Sequence, residues 1–413
     1  MTFLSFIKDA VFVATSGSRR YHWWMGGLTL FIIIGLYAWT VQLREGLHVT
    51  GMTDHVSWGL YVSNFTFLVG LAAAAVMLVM PAYVLHDVDF SKAVLIGEGT
   101  AVAALIMCLG FITVDMGGPQ NLWHMTPGVG IFRWPQSLLT WDAVVLNGYL
   151  FLNVMIPLYI LFAHYRGKKP NPKIYVPFVL MSVGWAVGIH MVTAFLYAAL
   201  PARPFWNSSL LGPRFLASAF SAGPCFMIVT LAFIRSHTRY EIRDATINKL
   251  AMIATVAAQI NLVMLGSELF KEFYWPTHHS ASAQYLFFGL HGHDALVPWI
   301  WTGIGMNVAA TICLTVHPIR RNLKLLYPLC VILFLGIWVE KGMGLIVPGF
   351  IPSPLGEIVE YSPTLIELAV TLGIWCLGLF IFTVLTKVAI AVELGDIRSP
   401  HAPAADASAT SEH

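Results

Sequence analysis

The chain has 413 residues, of which 57% are hydrophobic and 11% are charged, with a mean hydropathy of +0.73. Soluble domains carry about 25% charged residues, so this composition excludes a water-soluble globular protein and predicts an integral membrane protein. The formal net charge of +2 at pH 7 is small, and no feature of the sequence predicts a nucleic-acid partner.

Ten apolar segments are long enough to cross a bilayer, since a transmembrane helix needs about 20 apolar residues. In chain order they are 24–43, 57–85, 93–116, 138–164, 174–200, 211–235, 248–274, 285–316, 323–347 and 363–392. The eighth is long, and its first turns could belong to the preceding loop. The pattern predicts an all-α polytopic membrane protein with no room for a second soluble domain.

The chain divides into three predicted regions. Residues 1–23 form a cytoplasmic or interfacial segment, in which we expect an amphipathic surface helix over residues 2–15 and no cleavable signal peptide. Residues 24–394 form the transmembrane domain. Residues 395–413 form a cytoplasmic tail rich in Ala, Ser, Pro and Thr, a composition typical of disorder.

Positive charge is sorted between the two sets of loops. One set, which includes both termini, carries 17 of the 23 Lys and Arg residues: Lys8, Arg19, Arg20, Lys92, Arg166, Lys168, Lys169, Lys173, Arg235, Arg239, Arg243, Lys249, Arg320, Arg321, Lys324, Lys387 and Arg398. The other set carries Arg44, Arg133, Arg203, Arg214, Lys271 and Lys341. Cytoplasmic loops are enriched in Lys and Arg. The asymmetry therefore predicts cytoplasmic termini in the inner (cytoplasmic) membrane and longer functional loops on the outer, periplasmic face.

Acidic residues within apolar segments are costly, so each is a functional candidate by default. The set comprises Glu98, Asp115, Asp142, Glu268, Glu340 and Glu367. Most lie toward the predicted outer face, and only Glu98 lies near the inner face. A structural role at a helix end or in an ion pair remains the alternative for each. We interpret Glu98, Glu268 and Asp142 as candidates for a proton path, and Asp115 as a catalytic candidate.

Further polar and aromatic residues accumulate on the same predicted outer half. Tyr61 and Asn64 are three residues apart and share a helix face, with Asn64 on the order of 10 Å deep. His190 lies deep in the fifth segment and is the second catalytic candidate. The loops and segment ends add Trp58, His124, Arg133, Arg203 and Trp206. A quinone needs donors at its carbonyls, an acid or His for proton exchange, and an apolar wall. A transporter cavity could use the same residue types.

Resident metal cofactors are not predicted. The five cysteines lie in apolar segments without a C-x-x-C pair, which argues against an iron–sulfur cluster or zinc. His190 is the only deep histidine, so a pair of axial haem ligands is not apparent. His278, His279, His291 and His293 form an outer group for which metal binding is possible, although we favour partner contacts.

Several motifs together resemble the NrfD/PsrC family. The run WGLYVSN from Trp58 to Asn64 is similar to its second-helix signature. Asp115 to Pro119 followed by Trp123-His124 resembles its D-x-G-R-P…W-H motif, with Gly118 in place of the usual Arg, so that residue's role does not carry over. Three further runs resemble its ten-helix branch: GIHMVT from Gly188 to Thr193, ARPFW from Ala202 to Trp206, and Tyr361 to Pro363 followed by Glu367.

The resemblance covers most of the chain and is greatest to DsrP-like members, with Hmc-like and alternative complex III subunits in the same branch. It implies two four-helix bundles with flanking helices, and a quinone-interacting subunit without its own redox cofactor. Menaquinone is the implied substrate. The implied partners are an outer-face ferredoxin-like iron–sulfur subunit, a multihaem cytochrome c and other membrane subunits, with lipid and quinone around them. Proton translocation is possible, and a secondary transporter or a purely structural anchor remains the alternative.

Overall fold

A computed structural model describes residues 3–126, 128–275, 277 and 280–399, and in this part of the chain all regular structure is helical. The predicted disordered tail beyond Ser399 lies outside the described residues. The helices of eight or more residues are α1 Phe3–Thr15, α2 Arg19–Glu45, α3 Leu60–Val84, α4 Val94–Asp115, α5 Leu138–Tyr165, α6 Pro172–Ala198, α7 Leu211–His237, α8 Asp244–Tyr274, α9 Ala281–Phe288, α10 Val297–Thr315, α11 Leu323–Phe350 and α12 Leu365–Glu393.

Ten of these helices, α2 to α8 and α10 to α12, are long and apolar enough to cross a membrane. The predicted all-α, ten-helix polytopic fold is therefore confirmed. Most helix ends differ from the predicted ones by a few residues, and two of the differences have a local structural cause. The first spanning helix begins at Arg19 because the Ser18 side chain caps it by accepting a hydrogen bond from the Tyr21 amide. The eighth segment is two helices, α9 and α10, because the chain reverses at Gly289 and Gly292, both with positive φ.

The spanning helices form two antiparallel four-helix bundles. Helices α3 to α6 pack together in one, and α7, α8, α10 and α11 pack together in the other. Helices α2 and α12 lie against each other on one flank, and α12 also packs on α4. Gly35 and Gly373 face each other there, and a Cβ on Gly35 would lie 2.7 Å from Gly373 Cα. The close approach of these two helices thus depends on small residues.

Helix α3 lies at the centre of the molecule. Every residue from Leu60 to Ala73 is buried, and α3 contacts α4, α6, α7, α11 and α12. A helix that is apolar all round is expected to be buried in this way. The first bundle is joined to the second mainly through α3, α6 and α7.

Alternating helix directions bring all the loops that follow α2, α4, α6, α8 and α11 to one end of the molecule. We call this end, where Asp115 lies, the Asp115 end, and the opposite end, where Lys92 lies, the Lys92 end. The loops rich in Lys and Arg are at the Lys92 end. The predicted separation of the charge between two ends of the fold is therefore present.

Candidate functional site

An open groove runs between α4 and α5 at the Asp115 end of the first bundle. It encloses about 510 Å³, and its walls are largely apolar side chains such as Leu109, Ile112 and Met116. The polar side chains on its lining are Thr113, Thr126, Asp142 and Asn147. Leu139 and Val144, on the lining, are partly exposed on the outer surface of the bundle. The groove can therefore admit an apolar molecule from the side of the bundle.

Asp142 connects this groove to the interior of the first bundle. It is 1% exposed, and its Oδ1 accepts a hydrogen bond of 3.0 Å from Thr193 Oγ1 on α6. Its Oδ2 is buried and has no hydrogen-bond partner. A buried polar atom without a partner costs about 1–3 kcal/mol, so such atoms are commonly reserved for a ligand, water or a proton.

His190 lies one helical turn before Thr193 on α6. It is fully buried, its Nδ1 is 2.9 Å from the Ala186 carbonyl oxygen, and its Nε2 has no partner. Residues three apart share a helix face, so His190 and Thr193 face the same region between the helices. The sequence candidates Asp142 and His190 thus bring two buried atoms without partners to the interior of one bundle.

Tyr61 and Asp115 belong to a second group, between α2, α3, α4 and α12. The Tyr61 hydroxyl donates to Gln42 Oε1 at 2.8 Å, and Gln42 Nε2 donates to the Val114 carbonyl at 2.6 Å. Asp115 has a buried Oδ1 without a partner. Glu367 is fully buried near this group and accepts hydrogen bonds from Gly51 N at 2.7 Å and the Tyr361 hydroxyl at 2.6 Å.

Tyr361 lies in the loop before α12 and couples that group to the start of α3. Its hydroxyl oxygen accepts a hydrogen bond of 2.8 Å from the Leu60 amide. Burial, and then the neighbouring Glu367 carboxylate, raise the pKa of Tyr361. The phenol therefore stays protonated and remains a donor to Glu367, which in turn caps α12 together with Thr364.

Asn64 joins three helices by hydrogen bonds. Its Oδ1 accepts from the indole nitrogens of Trp338 at 3.1 Å and Trp375 at 2.9 Å, and its Nδ2 donates to the Leu60 carbonyl at 2.8 Å. Asn64 is fully buried. Its amide oxygen is therefore already occupied by α11 and α12, and a contact with quinone remains a prediction.

Trp58 and Trp206 form the core of an aromatic cluster. Their rings stack with centroids 5.6 Å apart, and Phe350 meets both edge-on at 5.6 and 5.0 Å. The Trp206 indole donates to the Leu345 carbonyl at 2.8 Å, while the Arg203 guanidinium lies 4.8 Å from the Phe350 ring centroid. Partial burial lowers the pKa of Arg203. This cluster fastens the loop after α6 to the end of α11.

A charged network lies inside the second bundle. Arg214 on α7 pairs with Glu268 on α8 and, at 2.6 Å, with Glu340 on α11. Asn307 on α10 donates to Glu340 at 2.5 Å, and Asn261 donates to it at 3.4 Å. A cavity of about 50 Å³ adjoins Arg214, Glu268 and Glu340. It has room for water, which needs roughly 10–15 Å³.

Lys341 follows Glu340 and is also buried. Its Nζ donates to the Phe215 carbonyl at 3.2 Å and lies 4.3 Å from the Phe215 ring centroid. Helix α11 is interrupted immediately afterwards at Gly342. The sequence placed Glu340 among the acidic candidates without a specific role, and it gave no role in the site to Arg214 or Lys341. The adjacent Glu340 and Lys341 in an apolar segment, with Asn261 and Asn307 in neighbouring segments, were a usable signal for this network.

Glu98 lies at the opposite end of the first bundle. It is 1% exposed, and its Oε2 accepts from the Tyr83 hydroxyl at 3.0 Å. Tyr83 lines a cleft of about 590 Å³ that opens at the Lys92 end and also holds His164, which is 2.6 Å from Glu393. Glu98 is thus separated from that cleft by one phenol.

The remaining sequence candidates are on the surface. His124 stacks on Trp123 with ring centroids 3.8 Å apart in an exposed 3₁₀ turn, and Arg133 is exposed in the loop before α5. Within the described ranges no three His, Cys, Asp or Glu side chains are arranged to hold a metal ion. His278 and His279 lie outside the described residues. The site candidates therefore fall into separate groups rather than one constellation.

Comparison with known proteins shows the family of the chain. The family model described as polysulphide reductase, NrfD, matches residues 48–351. A selenate reductase subunit from Mesobacillus selenatarsenatis is 24% identical, over 86% of this chain and 91% of that protein. A Halobacterium salinarum protein, provisionally named as a membrane subunit of a dimethyl sulfoxide reductase, is 25% identical, over 87% of this chain and 88% of that protein.

A third relative is the Hdr-like menaquinol oxidoreductase integral membrane subunit from Archaeoglobus fulgidus, 25% identical over 86% of this chain and 89% of that protein. The family match spans most of the sequence and includes both helix bundles up to the end of α11. The chain therefore belongs to the NrfD polysulphide reductase family.

Proposed function

We propose that this chain is the quinone-interacting membrane subunit of a multi-subunit oxidoreductase, and that the quinone binds in the groove between α4 and α5. The observation that carries the proposal is Asp142, which lines an apolar groove of about 510 Å³ and keeps one buried carboxylate oxygen without a partner. The coarser assignment, a membrane subunit of a redox complex, rests on the family and on three relatives named as subunits of reductases or oxidoreductases.

The groove fits the chemistry of quinone. Reduction adds two electrons and two protons to the ring, and oxidation removes them, so the head group needs a proton-exchanging side chain while the tail needs apolar walls. Asp142 supplies the carboxylate, held by Thr193, and Asn147 and Thr113 supply further polar contacts on the lining. Menaquinone is the proposed substrate, because one relative is named a menaquinol oxidoreductase subunit.

The electrons are exchanged with partner subunits. An iron–sulfur subunit, with a multihaem cytochrome c beyond it, is proposed to dock against the loops of the Asp115 end, which we assign to the outer face of the inner membrane. The charge asymmetry supports this orientation, since the Lys92 end carries most of the cationic loops. Exposed Trp123, Trp134 and Trp275 at the Asp115 end are available for contact with a partner.

Protons are proposed to reach the two ends of the first bundle separately. Asp142 and His190 serve the quinone from the interior of the Asp115 half. Glu98, behind Tyr83, faces the cleft at the Lys92 end and is the candidate for proton uptake from the cytoplasmic side. Glu268 is paired with Arg214, so a role in proton transfer requires that ion pair to open.

Filling the groove tests the site. Ala143→Trp places an indole on the groove lining, whereas Val187→Trp places one on the exposed face of α6, away from it. In the assembled complex, we expect Ala143→Trp to abolish quinol turnover. It should also abolish the labelling of residues 109–147 by an azidoquinone. Val187→Trp should change neither the turnover nor the labelling. Labelling confined to the Lys92 half would refute the location.

Asp115 is tested separately. Asp115→Asn is expected to impair quinol turnover because it removes a buried carboxylate beside Tyr61 and Glu367. Unchanged turnover would make Asp115 structural. Co-purification of redox subunits together with quinol activity supports the proposed function as a whole, and solute uptake by the chain alone would instead identify a transporter. If the complex keeps full quinol activity when the groove is filled, the chain is a purely structural membrane anchor.

A further inference from the structure

A second lateral groove, distinct from the quinone groove, lies at the Lys92 end of the second bundle. It encloses about 450 Å³ between the start of α8 and the short helix His317–Arg321 that follows α10. Pro81 and Phe90 are on its lining, as are Met252 and Ile253 of α8. Met252 is 46% exposed, and Ile312 and Val316 on the adjoining face of α10 are 61% and 43% exposed. The apolar part of the groove is thus continuous with the surface that faces lipid.

The polar part of the groove is cationic. Arg320 and Arg321 contribute guanidinium groups, His317 an imidazole and Lys249 an ammonium group. Arg320 is 8% exposed and is fixed by a hydrogen bond of 2.9 Å from Nη1 to the Leu314 carbonyl. A guanidinium carries five N–H donors, so this bond leaves four for another ligand. Maintaining a largely buried guanidinium at a groove wall is costly unless an anion completes its surroundings.

Acidic neighbours neutralise only one of these cations. Lys249 Nζ is 2.6 Å from Asp87 Oδ2 and 2.9 Å from Asp89 Oδ2. In the described part of the chain, neither Arg320 nor Arg321 forms an ion pair within 4.0 Å. The two guanidinium groups therefore leave an uncompensated positive charge where the helices end and the apolar surface begins.

We propose that this groove binds an anionic phospholipid, with the phosphate at Arg320 and Arg321 and one acyl chain along Met252 and Ile253. Basic recesses between transmembrane helices at the cytoplasmic surface are suited to lipid phosphate. The adjacent apolar wall distinguishes this site from one for a free phosphate ion, which would gain nothing from Met252 or Phe90. The bound lipid would bridge α8 and the turn between α10 and α11.

The test is lipid binding to the full-length chain in detergent, measured by native mass spectrometry with phosphatidylglycerol, phosphatidylcholine and inorganic phosphate as probes. Arg321→Gln is the main variant because Arg321 is exposed and makes no structural ion pair in the described part of the chain. Lys169→Gln is the matched control, an exposed cation in another loop of the same end. Arg320→Lys is the second variant, because it keeps the charge while removing the planar donor set.

We expect one phosphatidylglycerol to be retained in preference to phosphatidylcholine. Arg321→Gln should weaken it about five-fold, since one cation near the membrane surface contributes about 1 kcal/mol. Arg320→Lys should weaken it further at a temperature at which the lipid-free variant is still folded, and Lys169→Gln should change nothing. Equal retention of both lipids, displacement by millimolar phosphate, or equal effects of Arg321→Gln and Lys169→Gln would overturn the proposal.

Discussion

Thr193 donates a hydrogen bond of 3.0 Å to Asp142 and so ties α6 to α5 inside the first bundle. The bond holds one carboxylate oxygen of Asp142 and leaves the other without a partner. Because Asp142 also lines the lateral groove, a single side chain links the apolar surface of the bundle to its polar interior. The groove therefore combines apolar walls with a carboxylate oxygen that can bind a ligand or exchange a proton.

The first prediction concerns Asp142→Asn. The amide keeps the size of the side chain and can still accept from Thr193, but it cannot exchange a proton. A positioned proton-transfer group contributes about 10²- to 10⁴-fold to rate, so quinol turnover of the assembled complex should fall at least about hundredfold. Asp54→Asn, an exposed carboxylate at the same end, is the control. Turnover within a factor of two of the wild type would exclude Asp142 as the exchanging group.

Asn64→Leu is predicted to reduce stability rather than to act only on turnover. It leaves the indole nitrogens of Trp338 and Trp375 without their acceptor, and each unsatisfied buried donor costs about 1–3 kcal/mol. We expect a lower melting temperature in detergent. Replacing both tryptophans by Phe in the Asn64→Leu background should recover part of the loss, since no donor is then left unpaired. A melting temperature equal to the wild type would instead favour a direct contact with quinone.

The fold was predictable because its signals are local. Ten apolar segments and the sorted Lys and Arg residues define helices and their directions, and these largely fix which ends lie together. Asp142 and His190 could be selected because ionisable side chains within apolar segments are rare. The groove between α4 and α5 could not be predicted, since it depends on the separation of two helix surfaces.

The hydrogen-bond and ion-pair partners of the buried side chains could not be predicted from the sequence either. The depth of Asn64 suggests a free amide group, yet the indoles of Trp338 and Trp375 donate to its oxygen and its nitrogen donates to the Leu60 carbonyl. Glu268 looks like an unpaired acid in its apolar segment, yet Arg214 on the preceding helix forms an ion pair with it. In both cases the decisive contact joins different helices. The residue pattern of one helix does not contain that information.

Arg214 provides the third prediction. Replacing it by Gln leaves the buried Glu340 and the partly buried Glu268 without the guanidinium that pairs with both, and breaking a buried ion pair costs about 3–5 kcal/mol. We expect poor accumulation and a markedly lower melting temperature for Arg214→Gln. Combining it with Glu268→Gln and Glu340→Gln removes the uncompensated charges and should restore much of the stability. A triple variant no better than the single one would show that Arg214 acts through something other than charge compensation.

The fourth prediction is a pH dependence at the Lys92 end. Hydrogen bonds from Lys249 lower the pKa of both Asp87 and Asp89, against partial desolvation, and Arg243 lowers that of Asp89 further. A carboxyl whose pKa is depressed by folding stabilises the fold above its unfolded pKa, and this contribution disappears as the pH falls through the folded pKa. The side chains are partly exposed, so the effect is modest and screened by salt.

Lys249→Gln should therefore lower the melting temperature slightly at pH 7 and low ionic strength. The difference from the wild type should shrink once the pH falls below about 4, near the ordinary pKa of Asp, and it should also shrink in high salt. Lys169→Gln removes an exposed cation that forms no ion pair within the described ranges, and it should give no such profile. A Lys249→Gln difference that is constant from pH 7 to pH 3 would mean that the contact of the Lys249 ammonium group with the Phe90 ring, rather than its ion pairs with Asp87 and Asp89, is what stabilises this corner.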